Sequence, residues 1–119
     1  MKYMLMMFGD ADTMMETRTP EWVREMIAFM TDFNTELSRT GEFVEARGLD
    51  LPKLAKTVSL VDGQVVVSDG PFAEAKESLA GYWVLDVAGE DRAIELASQI
   101  VVWADRVELR FVPDGPPEV

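Results

Sequence analysis

Two β-branched runs, Thr57-Val58-Ser59-Leu60-Val61 and Gln64-Val65-Val66-Val67-Ser68, meet at Asp62-Gly63. A two-residue turn between antiparallel strands needs positive φ at its central positions, and Asp-Gly is a pair that tolerates it. The middle of the chain is therefore committed to a tight β-hairpin, and the remaining elements have to be arranged around it.

Residues 3–8 are a nearly continuous apolar run ended by Gly9-Asp10, which reads as a strand in the middle of a sheet, buried on both faces. Thr19-Pro20-Glu21 opens a helix: Thr19 offers a side-chain acceptor, Pro20 suits the first helical position and Glu21 favours the positive helix end. Trp22, Met26, Phe29, Met30, Phe33 and Leu37 recur at three- and four-residue spacing, so that stripe faces the sheet, and Gly41 ends the helix. Phe43 to Arg47 reads as a strand, and Leu49 to Leu54 as a link carrying Pro52. After the hairpin, Asp69-Gly70-Pro71-Phe72 makes a bend, and Phe72 to Ser78 reads as a short helical turn. Leu79 to Val87 is a second buried strand with Gly81 inside it. Arg92 to Val101 is a second helix with Ala93, Ile94, Ala97, Ile100 and Val101 inward. Val107 to Phe111 alternates as a half-exposed closing strand.

The order is β-α-β, hairpin, β-α-β. Two helices against one mostly antiparallel sheet make an α+β, ferredoxin-like two-layer sandwich with an added β-hairpin. Residues 1–112 form a single domain, and 113–119 a flexible, proline-rich tail. The helices suffice for one sheet face, so the other is expected to be covered by a second subunit in a homodimer.

Composition narrows the function classes. The formal net charge is −11, from 11 basic and 22 acidic residues, with no local Lys/Arg run. That balance repels phosphate backbones and anionic lipid faces, so direct nucleic-acid binding is not expected. No run reaches the ~20 apolar residues of a membrane helix, and the short first run lacks a cleavage pattern, so the expectation is a cytoplasmic protein without a membrane role. The chain has no cysteine and no histidine. Thiolate nucleophiles, imidazole bases and imidazole or thiolate metal ligands are thereby absent, and neither a metal site nor a cofactor is expected. Gly-rich phosphate loops and nucleophile elbows are absent too.

Three stretches carry a resemblance. The start Met1-Lys2-Tyr3-Met4-Leu5-Met6-Met7-Phe8-Gly9-Asp10, the segment from Val67-Ser68-Asp69-Gly70-Pro71-Phe72 through Ala73-Glu74-Ala75-Lys76-Glu77, and Leu79-Ala80-Gly81-Tyr82-Trp83-Val84-Leu85-Asp86-Val87 resemble the YCII-related family, specifically its DGPF branch. The ending Val107-Glu108-Leu109-Arg110-Phe111 fits as well. The resemblance implies ferredoxin-like domains that dimerise through their sheets like the dimeric α+β barrels, in a family whose biochemical role is mostly unassigned. Some relatives carry a His-Asp pair proposed to be catalytic. Asp69 is the position similar to that aspartate, and without a histidine the pair is incomplete here. The DGPF branch is also associated with alternative sigma factors, which implies a functional link of that kind. The stretch Gln99 to Asp105 departs from the family pattern, replacing a Pro- and Gly-containing connection with apolar residues.

The candidate site residues each have a plainer role beside the functional one. Asp69 is the candidate catalytic base of a cofactor-free proton transfer, isomerase- or lyase-like; as a turn residue it accepts nearby backbone N–H groups, which favours its charged form and works against a base. Tyr3 and Tyr82 are candidate ligand-binding hydroxyls or core aromatics. Arg47 is a candidate counter-ion for an acidic ligand. Phe72 and Lys76 are candidate ligand contacts beside the bend, or parts of a solvated turn. Trp103 is a candidate interface anchor or a core residue at a helix end. The favoured reading is a homodimeric module, ligand-binding or regulatory, taking a small acidic or apolar ligand; the alternative is the cofactor-free enzyme using Asp69.

Overall fold

The computed structural model describes residues 1–9, 16–70 and 78–118 of the chain. Its elements run β1 (Lys2–Gly9), α1 (Pro20–Thr40), β2 (Phe43–Gly48), a 3-10 turn (Pro52–Leu54), β3 (Lys56–Val61), β4 (Gln64–Asp69), β5 (Ser78–Asp86), α2 (Glu90–Ile100), a second 3-10 turn (Val101–Trp103) and β6 (Arg106–Val112).

Local chemistry sets the ends of α1. Thr19 is extended, and its hydroxyl oxygen accepts the backbone N–H of Trp22 at 3.1 Å, with Pro20 in the first turn. Gly41 takes the left-handed conformation, φ 82°, and its N–H closes on the Ser38 carbonyl at 3.3 Å. At the hairpin tip Asp62 and Gly63 both have positive φ, 49° and 78°, as a two-residue turn between twisted strands requires.

Four strands make one antiparallel sheet in the order β2-β5-β1-β6, so β1 is central as its apolar run implies. With α1 and α2 on one face, this is the ferredoxin-like α+β arrangement. Tyr3, Leu5 and Met7 point to the helices and are buried; Met4, Met6 and Phe8 alternate onto the other face and are only half-buried, so β1 is not buried on both faces within one chain. Phe33 and Leu37 of α1 and Ala93, Leu96, Ala97 and Ile100 of α2 close the core from above. Among the described residues the hairpin does not join this sheet, and β3 and β4 pair only with each other as a separate two-stranded ribbon.

Two expectations about the second helix are corrected. The second helix starts at Glu90, and the last turn before Trp103 is 3-10. Ile94 and Val101, expected inward, are exposed, and Leu96 takes the inward place. Ala93, Leu96, Ala97 and Ile100 stand three and four residues apart and share one side, whereas Ile94 is rotated about 100° from Ala93. The expected helical turn over 72–78 falls on residues 71–77, outside the described residues, and Ser78 already belongs to β5. Beyond Val112 there is no helix or strand through residue 118.

An ion-pair cluster ties the layers together. Arg92 of α2 donates through Nε and Nη2 to the two carboxylate oxygens of Glu42, each at 2.9 Å, and through Nη1 to Glu95 at 2.7 Å. Glu42 also accepts from the Thr40 hydroxyl at 2.8 Å, and its carbonyl accepts the N–H of Asp86. The Arg92 fork and the Thr40 hydroxyl hold the Glu42 carboxyl below the usual carboxylate range.

Candidate functional site

The helix-side surface of the sheet is not filled evenly. Where β2 and β5 run side by side under α1, the strands present Ala46, Gly48, Ala80 and Gly81, and nothing large rises from them. Gly81 faces Gly48 across the ladder, and a Cβ on Gly81 would sit 2.8 Å from the Arg47 carbonyl oxygen, closer than carbon and oxygen can approach. The close approach of the two backbones therefore requires glycine at 81. Above this floor Met26, Met30 and Asn34 descend from successive turns of α1, and Met7 and Trp83 stand beside it. The result is a partly open cavity of about 270 Å³.

The walls are apolar with one built polar contact. Trp83 is buried, and its indole N–H donates to the Asn34 side-chain oxygen at 2.7 Å. The bond fixes the Asn34 carboxamide, whose two remaining N–H donors belong to a cavity-lining group. Phe33 meets the Trp83 ring edge-on at 6.0 Å and holds it upright. Thioether and aromatic walls with a single oriented amide suit a small, largely apolar ligand carrying an acceptor.

Arg47 and Tyr82 also border the cavity, but by register their side chains leave from the opposite, open sheet face. There the Tyr82 hydroxyl donates to Glu45 Oε1 at 3.2 Å, and Arg47 Nε lies 3.8 Å from the same oxygen. Partial burial and the adjacent Glu45 carboxylate push the Tyr82 phenol up from its ordinary value, so it stays a proton donor. Tyr3 is elsewhere: it is buried under the helices, with its ring edge-on to Phe111 at 5.6 Å. Trp103 packs within its own chain against Trp22 at 5.4 Å and Phe29 at 5.8 Å. The 3-10 turn formed by the departing segment puts it there. Phe72 and Lys76 lie outside the described residues.

Asp69 ends β4, on the hairpin. Its side chain is 84% exposed and pairs with Lys56 directly across the ribbon. The neighbouring N–H of Gly70 goes not to Asp69 but to the Ala55 carbonyl at 2.8 Å. Asp69 does not line the cavity. Among the described residues no three acidic side chains gather as a metal site would require.

The YCII-related domain matches residues 1–112. The chain belongs to the YCII-related family. An uncharacterized protein of Rhizobium meliloti (strain 1021) is 41% identical over 46 residues, 39% of this chain and 37% of that protein, so the match spans little more than a third of the relative's length.

This YCII-related domain thus brings together Met7, Met26, Met30 and Trp83, which the sequence pattern reads as apolar strand and helix positions, and Asn34, which that pattern does not single out. Two signals were present. Asn34 is a polar residue four positions after Met30 on an otherwise apolar stripe, and Gly81 interrupts an apolar strand.

Proposed function

We propose that this YCII-related domain acts as a homodimeric module that holds one small, largely apolar ligand per chain between α1 and the β2–β5 edge. The observation that carries the reading is the cavity of about 270 Å³ with its oriented Asn34–Trp83 pair. An apolar cavity of about 150 Å³ takes up benzene, so this one has room for one or two fused rings. The Asn34 amide supplies orientation, and apolar walls supply affinity.

The open sheet face supports the homodimer. Met4, Met6, Tyr82 and Val84 form its centre, half-buried in the single chain. Lys2, Arg47, Arg106 and Arg110 surround them with Glu45, Asp86 and Glu108, four cations against three anions on a chain of net charge −11. A second copy can approach here without the repulsion the rest of the surface would exert, and mixed charges around an apolar centre are self-complementary about a twofold axis. The string Asp69-Gly70-Pro71-Phe72 supports the DGPF branch as the finer family assignment, and with it a regulatory setting linked to an alternative sigma factor. The exposure of Asp69 and its pairing with Lys56 lend proton-transfer chemistry no support.

Calorimetric titration with indole and with 2-naphthoate tests the reading, beside a Met30→Trp variant that fills the cavity. Saturable binding of one probe per chain, lost in Met30→Trp, is expected. Absence of binding at millimolar concentration, or binding that survives Met30→Trp, would overturn it.

A further inference from the structure

In the hairpin, β3 reverses the usual alternation, while β4 is exposed along its whole length. Cross-strand pairing puts Val58 opposite Val67 and Leu60 opposite Val65, so these four side chains share one face of the ribbon. They are 66%, 62%, 72% and 70% exposed, respectively. Thr57 and Ser59 of β3, on the other face, are half-buried, and the Thr57 hydroxyl donates to the Gly70 carbonyl at 2.7 Å. The more polar side of β3 thus turns inward and the apolar side outward. The overall dimensions agree with a projecting element: the radius of gyration is 16.5 Å, against about 13.5 Å for a compact chain of this length.

From this geometry we infer that the hairpin is an arm that lays its Val58–Leu60–Val65–Val67 face on a second copy of the chain. The inference rests on the homodimer proposed above and adds to it an element outside the sheet. Three arguments select the occupant. A two-stranded ribbon alone is marginal in water, so its cover has to be present whenever the protein is folded, and a second copy is the partner always supplied in equal amount. Full burial of a Val or Leu removes roughly 60–120 Å² of apolar surface, so four side chains about two-thirds exposed offer about 250 Å², roughly a third of the ~800 Å² each partner gives to a stable interface. The balance has to come from another patch meeting the same partner, and the open sheet face of this chain is one. The arm face is also electrically quiet: Lys56 and Asp69 neutralise each other at the base of the ribbon, so it can meet another strongly acidic chain.

The absence of cysteine makes the test direct. Leu60→Cys gives the full chain a single thiol whose maleimide labelling rate reports cover over the arm. Sedimentation velocity follows assembly of the wild type, of Leu60→Ser with Val65→Ser, and of Gln64→Lys, a control at the turn end of the other ribbon face; far-UV circular dichroism checks that each keeps the native spectrum. The arm inference expects a wild-type dimer and a dissociation constant raised at least tenfold by the double serine change but not by Gln64→Lys. It also expects the thiol to be protected at high protein concentration and labelled freely on dilution. A dimer unaffected by the serine changes, with a thiol labelled at the free rate throughout, overturns the arm and leaves the sheet-face homodimer standing. A wild-type monomer overturns both, and a thiol protected in that monomer shows the arm lying on its own chain.

Discussion

Replacing Asn34 by leucine removes the acceptor from a buried indole while keeping the side chain's approximate volume. Trp83 is 4% exposed and its N–H bond to Asn34 is 2.7 Å long, near the short end for an N–H···O bond. A buried donor left without a partner costs about 1–3 kcal/mol. The low end applies if water enters the adjoining cavity and takes over the indole N–H; the high end applies if the cavity is dry. We expect a loss of about 2 kcal/mol, a fall in melting temperature of roughly 6–10 °C for a domain of this size. Trp83→Phe removes the donor instead, and the double variant Asn34→Leu/Trp83→Phe removes both, so the cycle should show a favourable coupling of at least about 0.5 kcal/mol. Urea unfolding followed by far-UV circular dichroism measures all three variants against the wild type. A loss below about 0.5 kcal/mol for Asn34→Leu, or strictly additive changes across the cycle, would show that the pair does not organise the cavity wall.

Three further outcomes are expected. Gly81→Ala drives a methyl group into the Arg47 carbonyl, where only the β2–β5 backbones can give way, and should cost about 1–3 kcal/mol in urea unfolding; an unchanged midpoint would mean the strands separate freely. Arg92→Met strips Glu42 of its bidentate partner, at a cost of about 1–3 kcal/mol at pH 7. Because the folded-state carboxyl of Glu42 lies below its ordinary value of 4.5, that stability is present above 4.5 and drains as pH falls through the lowered value; urea midpoints of the two proteins should converge at the acid end, and a gap that persists there would assign the loss to packing. Trp103→Ala removes two aromatic contacts from a half-buried side chain and should cost about 2 kcal/mol in denaturant unfolding. A loss that grows on dilution would add a subunit contact, and no loss would contradict the packing described.

The fold was legible because its signals are local. Thr19, Gly41 and Asp62-Gly63 each fix a backbone conformation by their own chemistry, and the apolar run of β1 places it centrally without knowledge of its neighbours. The inward residues of α2 were harder: Ala93, Ile94, Ala97 and Val101 are all small or apolar, so the pattern does not say which side turns in until the sheet is present. The cavity was hidden for a similar reason. Met26 and Met30 satisfy the helix stripe whether they fill the core or border a void, and Gly48 becomes significant only when the ladder sets it opposite Gly81. The hairpin shows the opposite limit: its pairing follows from sequence, but its detachment from the main sheet depends on where the chain enters and leaves it. Asp69 was singled out from its place in a motif, and exposure on the ribbon could not be read from that motif.

The ε-methyl groups of methionine offer the most direct test of the proposed ligand site. Met7, Met26 and Met30 border the cavity, whereas Met4 and Met6 lie on the opposite face of the sheet. In a 13C-methyl-methionine spectrum of the full chain titrated with indole, the account predicts saturable shifts confined to the resonances of Met7, Met26 and Met30. Shifts centred on Met4 and Met6, or no shifts at probe saturation, would contradict it.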